Sequence, residues 1–421
     1  MTKGVEVKIE TRRLLVLVVS LFALAAPASA GADTVTDWNA HASNALFTVA
    51  GQPPPVGVQH MAMVHAAMYD AVNSIDRGYE PYLSSGRGFG AFWASKEAAG
   101  ATAAYRVLVS IVPSQQAQLE QLYQASLAAL PNTSAKWIGV SIGGRAASAM
   151  IDARTNDGRF GACCFATGTL PGQWRPVLPS FVNDPSGWVR NVKPFAVQSS
   201  SQFRSDGPFA LTSAEYAAEF NQVKAIGSLN SATRTAAQTN AALYWAENPP
   251  RTWNRIARGL SAREGLTLEQ NARLFALMNV SAADMAITVW DDKAFWGFWR
   301  PITAIREAHL DGNPATTADP DWLSLIASPP YPEHSSGATG QAGAYTKSME
   351  HFFGTNDLGW SDTNLGGLSR TYTSLSQARD EVVDARVWSG IHFLRADVHG
   401  ALIGTNVADW VAANYFRPVG G

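Results

Sequence analysis

Apolar residues recur at helical spacing along most of this chain, and no run alternates steadily between apolar and polar positions. A period near 3.6 residues predicts amphipathic helices, whereas half-buried strands show a period of two. The sequence therefore predicts an all-α protein. The helices predicted before residue 160 cover 35–50, 57–76, 89–111, 114–129 and 134–156.

Between Phe160 and Pro208 the periodicity is lost, and Gly, Pro, Ser and Trp are frequent. This composition is typical of loops, so we expect a long irregular connection. Helices predicted after it begin at 212–215, 231, 251, 267, 293, 335 or 336, 369 and 394. The predicted architecture is two helical bundles, one in residues 31–207 together with the connection, and one in residues 208–421.

The first thirty residues have the pattern of a secretory leader. Four basic side chains precede the apolar run 14–26, and Ala28-Ser29-Ala30 has the small residues of a cleavage site. We therefore expect residues 1–30 to be a signal peptide, with export after cleavage near Ala30; an uncleaved anchor is the alternative. After residue 30 no apolar run of eighteen occurs, so no transmembrane segment is predicted in the mature chain.

Composition narrows the function classes only slightly. The chain has 421 residues, 46% of them hydrophobic, which is enough for one large domain or two of ordinary size. The net charge of -2 creates no basic field, so nucleic acid is not an expected partner. The two cysteines, Cys163 and Cys164, are adjacent. A disulfide between neighbours forms a strained ring, so we expect two buried free thiols.

Two permanent cations lie in the aromatic stretch KAFWGFWRP. Lys293 and Arg300 are seven residues apart, so on a continuous helix they would share one face. Basic side chains rarely enter apolar surroundings unless they are paired. A bound oxyanion would pair with both cations, and a structural salt bridge to Asp291 or Asp292 is the alternative.

Two later segments carry complementary chemistry. Ser336-Gly337, at a predicted helix start, offers a hydroxyl and free backbone N–H groups to an anion, although a plain Ser cap has the same pattern. Arg386 adds a third cation and His392 adds an imidazole. Together with the first two cations, these groups suit a tetrahedral oxyanion whose central atom the imidazole attacks or binds. Such a site serves either phosphoryl transfer or the binding of vanadate.

The spacing K-x6-RP, then SG, then R-x5-H resembles the superfamily of vanadium-dependent haloperoxidases and type 2 phosphatidic acid phosphatases. The runs VHAAMYDAVN, SATRTAAQTNAALYW, DGNPAT and SPPYPE resemble its bacterial haloperoxidase-like branch. This resemblance covers nearly all of the mature chain. It implies an all-helical fold of two bundles, with the oxyanion site in the C-terminal bundle.

The resemblance also implies roles for the site residues. His392 would bind the vanadium of the cofactor vanadate directly. The vanadate oxygens would be held by Lys293, Arg300, Ser336, Gly337 and Arg386. Lys293 would polarise bound hydrogen peroxide, and halide would be oxidised to hypohalous acid. In a phosphatase of the superfamily, His392 would instead attack a phosphoester.

Two positions depart from the motifs. The motif PSGH reads SSGA here, so Ala338 stands where the superfamily has its acid–base His, and Ala cannot transfer a proton. His334 would replace that His as a catalytic residue if its loop folds back. The phosphatase motif also has an Asp four residues after His392, whereas Asp397 lies five residues after it, about 140° round a helix.

These features predict an exported, vanadate-dependent haloperoxidase-like enzyme that oxidises halide with hydrogen peroxide, with turnover impaired by Ala338. The second hypothesis is a soluble phosphatase of the same superfamily that acts through a phospho-His intermediate. The third is a degenerate member that binds phosphate or vanadate without turnover.

Overall fold

The computed structural model describes Met1 and residues 33–83 and 92–420, so the rest of the predicted leader lies outside the described residues. The first helices are α1 (Thr34–Ser43), α2 (Pro54–Asp76), α3 (Lys96–Ile111), α4 (Gln116–Ala128) and α5 (Ser134–Ala153). The later helices are α6 (Ala214–Ile226), α7 (Ala236–Tyr244), α8 (Pro249–Glu264), α9 (Leu268–Trp296), α10 (Pro301–Arg306), α11 (Gly337–Phe353), α12 (Leu375–Trp388) and α13 (Leu394–Asn414). The all-α prediction is confirmed.

A small hairpin interrupts the helices near the C-terminal end. Strands β1 (Trp360–Thr363) and β2 (Ser369–Tyr372) pair antiparallel, so the predicted helix start at residue 369 is wrong. Helix α12 begins at Leu375, where the Ser374 hydroxyl accepts a hydrogen bond from the N–H of Gln377. Strands of four residues are too short to give an alternation that distinguishes them from the start of a helix.

Helix α9 is the central element of the fold. The side chains of Thr267 and Gln270 each accept a hydrogen bond from the other's backbone N–H, which fixes its N-terminus as a capping box. It packs against α2, α11 and α13. This helix is long and apolar enough to cross a membrane, but 94% of its most apolar window is buried inside the described protein.

The helices form two packed groups. Helices α2, α3 and α5 contact one another in the first, and α9, α11 and α13 contact one another in the second. Because α2 also packs on α9, one apolar core includes side chains from both groups. The domain boundary that we predict at residue 208 stays a prediction.

The predicted irregular connection is present between residues 160 and 208, where only a short 3-10 turn, Gly187–Asn191, forms. It is attached to α9 by a buried carboxylate. Asp284 accepts hydrogen bonds of 2.6, 2.6 and 2.8 Å from the backbone N–H groups of residues 195–197. The core helix thereby satisfies the backbone of a segment that has no secondary structure to do so.

The two cysteines are joined, so the expectation of free thiols is wrong. Cys163 and Cys164 form a disulfide between neighbours. Neither residue is buried: Cys163 is exposed and Cys164 is half-buried. Ring strain alone favours free thiols, whereas Cys164 adopts a φ of 86°, a conformation that no sequence pattern indicates.

Helices α11 and α13 approach each other closely, backbone against backbone. A Cβ added at Gly404 would lie 2.0 Å from the carbonyl oxygen of Gly340, which is far inside van der Waals contact. The position therefore accepts only glycine unless the helices separate.

We expect Gly404→Ala to lower the free energy of unfolding by about 1–3 kcal/mol, because overpacking forces the two helices apart. Urea denaturation followed by circular dichroism measures the change. Gly259→Ala is the matched control, since it lies within α8 with nothing within 4 Å of an added Cβ. That control should gain about 0.5–1 kcal/mol, and an equal loss in both variants would contradict the packing argument.

Candidate oxyanion site

Lys293 and Arg300 lie on different helices. Helix α9 ends at Gly297, which has a φ of 53°, and Arg300 is the N-cap of α10, so the prediction of one continuous helix face is wrong. The two side chains nevertheless reach the same backbone segment. Lys293 Nζ donates to the carbonyl of Pro332 at 2.8 Å, and Arg300 Nε donates to the carbonyl of Tyr331 at 2.8 Å. The tertiary fold therefore brings the two cationic side chains together, whereas a single helix does not.

The two neighbouring aspartates have other partners. Asp291 pairs with Arg204, and Asp292 accepts hydrogen bonds from the backbone and hydroxyl of Ser205. Within the described residues neither carboxylate forms an ion pair with Lys293 or Arg300. The structure therefore does not support the salt-bridge alternative.

His392 is held between an acid and a guanidinium. Its Nδ1 lies 2.9 Å from Glu333 Oε1, and its Nε2 lies 3.2 Å from Arg300 Nη1. Because a guanidinium can only donate, Nε2 must be the acceptor and Nδ1 must carry the hydrogen. The tautomer is thus fixed by its partners, and the Nε2 lone pair points toward Arg300.

The electrostatics keep this imidazole neutral. Burial lowers the pKa of His392 well below its usual value, and the positive charges of Arg300, Lys293 and Arg386 lower it further. Burial also raises the pKa of Glu333 to about 8, although the two nearest cations oppose this rise. A neutral imidazole with a lone pair on Nε2 is the form that can bind a metal or act as a nucleophile, and here that lone pair accepts a hydrogen bond from Arg300.

Glu333 is the site residue that the sequence argument missed. Its Oε1 also accepts the backbone N–H of Phe393 at 3.0 Å, so it fixes both the imidazole and the chain that carries it. It stands 59 residues before His392, and no spacing rule connects two residues so far apart. The only available signal was its position within the SPPYPE run.

Three buried donor atoms of the predicted site residues have no hydrogen-bond partner among the described residues. They are Arg300 Nη2, Arg386 Nε and Ser336 Oγ. The Ser336 hydroxyl does not cap α11, although it stands at the N-cap position just before Gly337. Buried donors are almost always bonded, and a helix N-terminus with two guanidinium groups attracts anions. The donor set therefore fits a tetrahedral oxyanion such as phosphate or vanadate.

The connection between α12 and α13 explains the spacing from Arg386 to His392. The chain breaks at Gly390, with a φ of 78°, and His392 lies before α13 begins. The helical angle between His392 and Asp397 therefore does not apply, and Glu333 orients the imidazole instead. Asp397 is buried, and neither carboxylate oxygen forms a hydrogen bond with a described residue. Burial raises its pKa well above the usual range, while the nearby Ser336 hydroxyl and Arg386 lower it in part.

His334 is buried in a separate polar cluster. Its Nε2 lies 3.1 Å from Ser205 Oγ and 3.1 Å from His399 Nδ1, while its Nδ1 lies 4.0 Å from Glu333 Oε2. The Glu333 carboxyl therefore stands between His334 and His392. The role of His334 as a substitute for the motif His stays a prediction, because its hydrogen bonds go to Ser205 and His399 rather than to the unpartnered donors.

The chain is similar in sequence and in fold to several known proteins. Residues 273–421 match the family model of the VCPO second helical-bundle domain. Vanadium chloroperoxidase from Curvularia inaequalis is 29% identical over 231 residues, which cover 44% of this chain. The match spans only 37% of that relative's length.

Solved structures share the fold over most of the chain. A bacterial vanadium-dependent iodoperoxidase superposes with a TM-score of 0.79 at 21% identity, covering 90% of this chain and 96% of that chain. An apo-type bacterial vanadium-dependent chloroperoxidase gives 0.71 at 18% identity, covering 86% and 92%. The chain thus has the all-helical fold of these structures, and its site has a donor set that fits an oxyanion. The resemblance to the vanadium haloperoxidase superfamily that the motifs indicate is confirmed.

We expect Glu333→Ala to weaken orthophosphate binding about 10–100-fold, the usual cost of losing the partner that orients a ligating His. Glu333→Gln keeps an oxygen that accepts from His392 and should restore most of the affinity. Isothermal titration calorimetry with orthophosphate measures both variants. Equal affinity of the Ala variant and the wild type would show that Glu333 does not position the imidazole.

Proposed function

We propose that this chain is a vanadate-dependent haloperoxidase that oxidises halide with hydrogen peroxide. The observation that carries the proposal is the cluster of unpartnered, buried donors on Arg300, Arg386 and Ser336 beside the Nε2 of a neutral His392. The similar proteins suggest the reaction type, since they are vanadium chloroperoxidases and an iodoperoxidase. The leader-like first thirty residues support export after cleavage near Ala30 as part of the same proposal.

The chain's own residues would divide the work. His392 would hold vanadate through Nε2, and the unpartnered donors together with Gly337 at the start of α11 would hold its oxygens. When bound, vanadate supplies a Lewis-acid centre that activates hydrogen peroxide.

Lys293 would add a positive charge whose protonation depends on the bound anion. Two of its ammonium hydrogens go to the carbonyls of Pro332 and Glu333, at 2.8 and 3.0 Å, which leaves the third for an oxyanion. Burial and the charge of Arg300 hold the pKa of Lys293 well below its usual value. A bound anion would favour the protonated form.

The Glu333–His392 pair favours a phosphatase as the second candidate. An imidazole whose Nδ1 hydrogen is held by a carboxyl group, and whose Nε2 carries the lone pair, is also an oriented nucleophile for a phosphoester. Ala338 offers no acid for the leaving group, however. Because Ala338 has no titratable group, the third candidate is a protein that binds the oxyanion without turnover.

The purified chain incubated with orthovanadate should brominate a dye when bromide and hydrogen peroxide are supplied. His392→Ala should reduce that rate to background, because it removes the imidazole nitrogen that would hold vanadate. Hydrolysis of p-nitrophenyl phosphate is assayed in parallel. Dye bromination by absorbance is the measurement, with the same reaction lacking vanadate as its control.

The remaining outcomes would establish one of the two alternative functions or contradict the site assignment. Phosphoester hydrolysis that vanadate inhibits, without bromination, would establish the phosphatase. Silence in both assays, with orthophosphate binding seen by calorimetry, would establish a binding protein. Orthophosphate binding that survives His392→Ala unchanged would show that the site is wrongly assigned.

We expect Ala338→His to raise the rate of bromination by up to about 10²–10⁴-fold, the usual worth of general acid–base catalysis. Ala338→Asn is the matched control, since it fills similar space but cannot transfer a proton. The two variants are compared by their initial rates across pH 5–8, the range in which an imidazole titrates. Equal rates would refute the idea that the missing imidazole limits turnover.

A further inference from the structure

The disulfide between the two cysteines lies at the surface, in the irregular connection between residues 160 and 208. Cys163 is exposed and Cys164 is half-buried, so a small thiol can approach the bond from solvent. The chain contains only these two cysteines, so no other thiol of the chain can exchange with them. Reduction of this bond therefore yields two neighbouring thiols and no alternative pairing.

The backbone at Cys164 has a conformation that its surroundings hold in place. Its φ of 86° lies in a region that residues with a side chain rarely adopt, and such residues persist only where neighbouring structure restrains them. The Cys164 carbonyl accepts from Arg190 Nη1 and Nη2 at 3.1 and 3.2 Å. Gly187 packs directly against this backbone, since a Cβ added there would lie 2.8 Å from the Cys164 nitrogen. The bond to Cys163 is the covalent part of the restraint, and reduction removes it.

The residue after the disulfide is connected to the segment that positions the site cations. The N–H of Phe165 donates to Asn183 Oδ1 at 3.0 Å, and its carbonyl accepts from Asn183 Nδ2 at 2.8 Å. The N–H of Asp184 then donates to the carbonyl of Pro330 at 2.8 Å. Pro330 directly precedes residues 331–333, whose carbonyls accept from the two site cations. A displacement of Phe165 would therefore reach those carbonyls through Asn183 and Asp184.

A second connection reaches the turn that separates the two site cations. The N–H of Trp174 donates to the carbonyl of Gly297 at 2.7 Å, and the N–H of Trp299 donates to the carbonyl of Gly172 at 2.9 Å. The Trp174 ring packs edge-on against the ring of Phe165, with centroids 6.2 Å apart. Phe165 thus contacts the supports of both segments from which the site cations are positioned.

We propose that the Cys163–Cys164 disulfide is a redox site whose reduction by a dithiol weakens anion binding at the oxyanion site. Once the bond is open, Cys164 can return to a negative φ, which redirects the chain at Phe165 and disturbs both connections. The cations of the site then lose part of the support that holds them in one arrangement. The proposal rests on the oxyanion site and not on the reaction that the site catalyses.

The reductive step transfers two electrons and two protons to the protein. A thiolate of the dithiol attacks Cys163 Sγ, and the electron pair of the broken bond goes to Cys164 Sγ, which takes up a proton. The second thiol of the reagent then closes the reagent's own disulfide and releases Cys163 as a thiolate, which is protonated in turn. The dithiol is oxidised, and the cysteine pair is reduced.

Hydrogen peroxide is the oxidant for the reverse step. It oxidises one cysteine thiolate to a sulfenic acid with release of hydroxide, and the neighbouring thiol then forms the disulfide as water leaves. The adjacent thiol makes this second step intramolecular. The redox state of the pair would therefore follow the supply of peroxide around the protein.

Orthophosphate binding in the two redox states tests the proposal without any turnover. The full protein is reduced with dithiothreitol and desalted without oxygen, and the two new thiols are counted with 5,5′-dithiobis(2-nitrobenzoate). Isothermal titration calorimetry then compares the reduced and oxidised forms. We expect the reduced form to bind orthophosphate about fivefold or more weakly, the lower end of the coupling seen between distinct sites. Treatment with hydrogen peroxide should restore the affinity.

Two double variants separate the role of the bond from that of the backbone. Cys163→Ser with Cys164→Ser should bind as weakly as the reduced protein and should not respond to dithiothreitol or peroxide. Cys163→Ser with Cys164→Gly is the matched variant, because glycine adopts a positive φ about as readily as a negative one. It should bind orthophosphate more tightly than the serine pair, again without a redox response. Circular dichroism checks that both variants fold.

The outcomes distinguish this proposal from the proposed haloperoxidase function. Two free thiols with unchanged orthophosphate affinity, or no free thiols after treatment of the folded protein, would overturn the redox site. A loss of affinity on dithiothreitol treatment that the serine pair shares would assign the effect to the reagent and would overturn it as well. Redox-dependent orthophosphate binding in a protein that never brominates a dye would refute the haloperoxidase function and support the redox site.

Discussion

Residues 331–333 position three of the site side chains, those of Lys293, Arg300 and His392. The carbonyl of Tyr331 accepts from Arg300, and the carbonyls of Pro332 and Glu333 accept from Lys293. The Glu333 side chain accepts from His392. One short irregular segment thus connects the end of α9, the start of α10 and the link between α12 and α13. Its proline-rich sequence excludes a helix, which leaves these carbonyls free to accept bonds from side chains.

This arrangement buries several ionisable groups away from water. Burial lowers the pKa of Arg300 to about 10 and lowers the pKa of Lys293 and Arg386 as well, while it raises the pKa of Glu333 and Asp397. Both signs therefore shift toward the neutral form, as expected where charge has little solvation. An oxyanion would reverse this tendency for the cations. Anion binding should thus be linked to proton uptake by the site, and the helix N-terminus of α11 adds a fixed dipole to the same end.

The sequence predicted which residues form the site more fully than it predicted how they are arranged. The spacing of Lys293 and Arg300 identified two members of the cluster, but the reason given for their proximity failed, because Gly297 ends the helix between them. His392 was found by its spacing from Arg386, whereas Glu333 was not, since the contact between Glu333 and His392 exists only after the chain has folded. The alternating hydroxyls of the β1–β2 hairpin were likewise too few to oppose the helical pattern around them. Local patterns predict local structure, and pairs that are distant in sequence need the fold.

Ala338 has one consequence as a motif position and another in the folded protein. As a motif position it is a loss, because the group that would transfer a proton is missing. In the folded protein it borders a cavity of about 320 Å³ that Gly337 and Arg386 of the site also line. Ala338 therefore removes an acid–base group from the motif and places only a methyl group on the wall of that cavity.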